Sequence, residues 1–75
     1  MPGARLASMK VQLATYPQLR LLAWNRAADA WVEEVDALAL YEREWRHVDQ
    51  HALTPDEKAF IEHLAQTYGN GVLNV

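Results

Sequence analysis

The chain contains no cysteine, which excludes disulfides, thiolate metal sites and a cysteine nucleophile. Serine occurs once, as Ser8, and leaves no basis for a Ser-His-Asp arrangement. Glycine is scarce as well. Gly69 and Gly71 follow a helical pattern instead of opening one, so no phosphate-cradling loop is available. No apolar run approaches the roughly 18 residues of a membrane span, and no apolar stretch follows Arg5 in the manner of a secretory signal. These absences lead to the expectation of a cytoplasmic protein with no membrane partner.

What is present is enough for one small domain. Leu, Ile, Val and Phe supply 18 of the 75 residues, joined by three Trp and three Tyr. A domain of this size buries only about 60% of its unfolded surface, so the core is thin. Charge is unevenly placed behind the net value of -3. Residues 1–28 carry Arg5, Lys10, Arg20 and Arg26 with no acid, whereas the remainder sets ten acids against Arg43, Arg46 and Lys58. Such asymmetry either marks an interaction surface or cancels within the fold.

Residues 1–8 lack periodicity and read as a flexible tail, with a single domain over 9–75. Val11 and Leu13 alternate with polar neighbours in a short strand pattern that Pro17 ends. A first helix is expected near 16–25, with Thr15 and Gln18 at capping-box spacing and apolar residues over most of its circumference. A second is expected near 27–48. There Trp31, Leu38 and Trp45 recur every seven residues, on a stripe expected to pack against Leu19, Leu22, Phe60 and Leu64. Glu34 intrudes on that stripe and suggests a break over Glu34 to Asp36, and Leu40 projects nearly opposite it, toward water. The third helix, near 54–68, is announced by Thr54-Pro55-Asp56-Glu57, a capping box with proline at the first helical position. Phe60, Ile61, Leu64, Ala65 and Tyr68 form its apolar face, and Gly69 stops it. Val72 to Val75 offers a strand to pair with Val11 and Leu13. The fold class is therefore mainly α, a small three-helix domain with a minimal two-stranded pairing of the chain ends.

Glu44, His47 and His51 would share one helix edge and could offer a metal two imidazoles and a carboxylate. The helix is expected to fray by Asp49, however, and Val48 stands where a zincin-type helix needs Glu. No metal or cofactor is therefore expected. His63 lies away from the apolar face and reads as solvated. The carboxylate pairs fit solvated helix faces, and a domain this small rarely encloses the cleft that acid–base catalysis needs. An enzyme is not expected.

Two kinds of binding remain. Three Trp exceed what a thin core covers, and Val32 and Leu40 fall off the main stripe. Val32, Leu40 and Glu44 are therefore the expected contact residues of a module that associates with itself or with another protein. The alternative is nucleic acid, gripped by Lys10, Arg20 and Arg26 with Tyr16 and Trp24 interleaved. Against it, Asp29, Glu33, Glu34 and Asp36 would repel phosphates, and Tyr16 and Trp24 are expected in the core. Tyr16-Pro17-Gln18-Leu19-Arg20, Ala37-Leu38-Ala39-Leu40-Tyr41-Glu42 and Trp45-Arg46 together resemble short bacterial proteins without an assigned function. That resemblance brings no site residue with it.

Overall fold

The structure, a computed structural model, describes residues 9–73. The expected tail over 1–8 lies outside them. The architecture is mainly α: three helices, α1 (Pro17–Leu22), α2 (Glu34–Arg43) and α3 (Pro55–Tyr68), beside one antiparallel strand pair, β1 (Lys10–Gln12) and β2 (Trp31–Glu33). Single 3-10 turns follow β1 at Leu13–Thr15 and link α2 to α3 at Trp45–His47 and Gln50–Ala52. α2 packs on both α1 and α3.

The strand pairing corrects the sequence expectation. β1 pairs with β2 in the register Lys10↔Glu33, Val11↔Val32 and Gln12↔Trp31, whereas Val72 and Leu73 join no strand and the rest of the expected terminal strand, 74–75, lies outside the described residues. The ladder runs on past the strands, because Leu13 N–H donates to Ala30 O at 3.0 Å and Glu34 N–H to Met9 O at 2.7 Å. β2 shows the period of two: Val32 is buried, and Trp31 and Glu33 face out. Over three residues that alternation cannot be told from the start of a helical stripe.

Helix two is accordingly shorter than the expected 27–48. It begins at the Glu34 break and ends at Arg43. Trp31 therefore leaves the stripe and is 61% exposed, Trp45 is half-buried, and Tyr41 is the aromatic that fills the centre. Leu13, Leu19, Ala37, Leu38, Tyr41, Val48, Phe60, Ile61 and Leu64 form the core with Val32. Phe60 stacks on Tyr16, with centroids 4.1 Å apart, and meets the edge of Tyr41 at 6.3 Å. α3 buries the expected Phe60, Ile61, Leu64 and Ala65 and ends at Gly69. A Cβ on Gly69 would come within 2.9 Å of the Ala65 carbonyl oxygen, so glycine there permits a close backbone return.

The capping pattern holds in one direction only. The Thr54 hydroxyl accepts from Glu57 N–H at 3.0 Å, as the sequence predicts. The Glu57 carboxylate does not reach back to Thr54, however. It turns inward, is fully buried, and accepts from Gln18 N–H at 3.0 Å, Leu19 N–H at 2.9 Å and the Tyr41 hydroxyl at 2.7 Å. Those amides are orphan donors in the first turn of α1, whose N-cap, Tyr16, makes no side-chain cap. The expected Thr15–Gln18 box is absent because Glu57 caps α1 from another helix. Gln18 is freed for a second tie, and its Oε1 accepts from Asp49 N–H at 2.9 Å.

Candidate functional site

α1 is only six residues long, and one side of it is committed to the core. Leu19 and Ala23 are buried there. Leu21, on the other side, is 61% exposed, and Trp24 is 83% exposed in the turn after α1, because the helix stops at Leu22 instead of running to the expected residue 25. This corrects the expectation of a largely buried first helix with Trp24 in the core. Their separation from the Leu19 side was already visible in the spacing, and a helix this short has too few neighbours to cover both sides.

Leu21 and Trp24, with Arg26, line two adjoining hollows. The larger, about 480 Å³, is lined by Leu22, Ala23 and Asn25 from the α1 side and by Leu40, Arg43, Glu44 and His47 from α2 and the turn after it. The smaller, about 200 Å³, adds Arg20 and Ala28. Leu21, Trp24 and Arg26 line both and form the ridge between them. Among the described residues the charged lining is mainly cationic, with Arg20, Arg26 and Arg43 against the acid Glu44. Arg43 Nε lies 3.3 Å from one Glu44 oxygen and His47 Nε2 lies 3.8 Å from the other.

The predicted contact residues divide. Leu40 and Glu44 line the larger hollow, although Leu40 is half-buried against the core instead of pointing to water. Val32 is 6% exposed within the core and is no surface residue. Of the nucleic-acid set, Arg20 and Arg26 flank Trp24, whereas Lys10 stands opposite Glu33 in the strand pair and Tyr16 lies on Phe60. The edge that would have joined Glu44, His47 and His51 does not form, because α2 ends at Arg43 and the two histidines fall in separate turns. Among the described residues, no group of three or more His, Cys, Asp and Glu is placed to hold a metal ion.

A second cluster surrounds Glu34, the acid that intrudes on the apolar stripe, which is buried. Tyr68 donates its hydroxyl to Glu34 Oε1 at 2.9 Å, and His63 Nε2 lies 3.0 Å from the same oxygen. His63 is thus anchored, not simply solvated, and its Nδ1 lies 3.3 Å from the Thr67 hydroxyl. Hydroxyl, imidazole and carboxylate follow in the order of a hydrolytic triad. The hollow beside His63, about 410 Å³, is lined by Tyr16, Glu34, Asp56 and Phe60 and does not include Thr67. Burial, and then the nearby Asp56, Glu34 and Glu57 carboxylates, raise the Tyr16 phenol above its ordinary range.

No protein family, curated protein or solved structure matches the chain. No helix among the described residues is long and apolar enough to cross a membrane.

Proposed function

We propose that the protein is a small, non-enzymatic, cytoplasmic interaction module that holds another protein against the ridge and hollows between α1 and α2. The observation that carries this reading is Trp24, 83% exposed beside Leu21 and facing a hollow floored by Leu40. A large aromatic held in water is unfavourable in a domain with so thin a core, and partly enclosed aromatics dominate binding hot spots. Arg20, Arg26 and Arg43 supply the polar rim that such surfaces carry.

The test is affinity capture from lysate on the tagged protein and on Trp24→Ala, each with and without nuclease. Trp24 is exposed, so its loss leaves the helical circular dichroism intact. One protein held by the parent after nuclease and lost from Trp24→Ala is the expected result. Equal capture by the variant would remove this surface. The second reading, nucleic acid, draws on the position of Arg20 and Arg26 beside Trp24. It requires capture to vanish with nuclease and to weaken steeply between about 50 and 200 mM salt.

A further inference from the structure

We infer that the occupant of the α1–α2 surface is an acidic segment of a partner protein, carrying apolar anchors that straddle the Trp24 ridge. The inference rests on the reading of that surface as a docking site and adds the chemistry of what docks. Its basis is a local reversal of charge. The chain carries a net charge of -3, yet among the described residues the two hollows collect Arg20, Arg26 and Arg43 and one acid, Glu44. Arg26 lines both hollows, so a carboxylate beside it is attracted from either side of the ridge. Apolar anchors have two places to go, over Leu22, Ala23 and Leu40 on one side and over Ala28 on the other. Complementary charge selects the partner and speeds encounter, and the apolar anchors hold it.

Nucleic acid fits this surface less well. Its bases bind by stacking on aromatic faces, and they gain little from the aliphatic lining of Leu22, Ala23 and Leu40. A second copy of the chain fits less well too. Its exposed Trp31 stands on the outer face of the strand pair, where the register sets one cation, Lys10, opposite one acid, Glu33, and offers no acidic excess to the arginines.

The test is selection of a random-peptide phage library on the full-length protein, with counter-selection on Trp24→Ala. Synthetic copies of the selected peptides are then titrated against the protein by fluorescence polarisation. Selected peptides rich in Asp and Glu around Leu, Phe or Trp are expected. Their affinity should fall with salt, drop on the order of tenfold or more in Arg26→Glu, and largely survive Arg26→Lys. Peptides that need Trp24 but show no excess of acid overturn the acidic occupant and leave the docking surface standing. Failure to select any peptide over the Trp24→Ala background overturns both. Tighter binding of a single-stranded RNA oligonucleotide, or self-association in sedimentation that Trp24→Ala abolishes, assigns the surface to another occupant and overturns the inference.

Discussion

The Tyr41 hydroxyl donates to Glu57 Oε2 across 2.7 Å, joining the last turn of α2 to the first turn of α3 at a point closed to water. The same oxygen accepts from Leu19 N–H, so one carboxylate fastens all three helices. A buried carboxylate is costly unless its lone pairs are filled, and here three neutral donors fill them.

Glu57→Ala leaves the Gln18 and Leu19 amides and the Tyr41 hydroxyl without their acceptor. The expected loss is about 3–5 kcal/mol, the scale for breaking a buried charged hydrogen-bond network. Urea unfolding followed by circular dichroism measures it. Asp56→Ala, on the exposed side of the same turn, should cost well under half as much. Equal losses from the two would show that the carboxylate acts only through the charge of the helix end.

Tyr41 also sets an alkaline limit on stability. Burial, then its hydrogen bond to Glu57 and the charge of that carboxylate, raise its ionisation far above the ordinary 10.0. The folded state keeps a proton that the unfolded chain gives up. Its contribution is complete below about pH 10 and declines as pH rises beyond it, by about 1.4 kcal/mol per pH unit. Tyr16, also raised, adds in the same sense. Tyr41→Phe should be less stable at neutral pH, by about 1–3 kcal/mol. Its stability should also fall less steeply above pH 10. Parallel slopes for parent and variant in urea midpoints across that range would discard this account.

The tryptophans should rank by burial and not by their heptad spacing. Trp31→Ala is expected to change stability by no more than about 0.5 kcal/mol, because its ring faces solvent. Trp45 is half-buried, so its replacement by Ala should cost about 1–3 kcal/mol instead of the 3–5 of a fully buried aromatic. Leu64→Ala, at a fully buried position, should cost about 2–5 kcal/mol. Melting temperatures of the three variants decide the order, and a Trp31 variant as damaged as the Leu64 variant would mean that Trp31 packs inside.

α3 was legible because its signals are local: Thr54 and Pro55 mark its start, Gly69 its end, and Phe60, Ile61 and Leu64 keep a helical period. β2 was not legible, since Trp31-Val32-Glu33 resembles a first helical turn until Lys10–Gln12 is seen beside it. Glu57 shows the same boundary within one residue. Its backbone obeys the capping box from three residues away, and its side chain answers to Gln18, nearly forty residues back along the chain. Of the residues lining the larger hollow, Leu40 stands out in the sequence by its place off the stripe, although it is half-buried instead of turned to water. The spacing places Trp24 on a helix running to residue 25 and so in the core, whereas the helix stops at Leu22 and leaves Trp24 in the turn beyond it.

The cap that Glu57 lends to α1 has a consequence for cells. A six-residue helix does not persist alone in water, so Leu21, Trp24 and Arg26 hold their places only while α3 is docked. Any partner gripping them therefore recognises the native chain and ignores the unfolded one, and each bound complex withdraws a molecule from the unfolding equilibrium. For so small a domain, a partner at a hundredfold excess over its dissociation constant would add about 2.7 kcal/mol, a large share of the total. The amount of this protein in a cell would then follow the supply of its partner, with unaccompanied copies lost to proteolysis first.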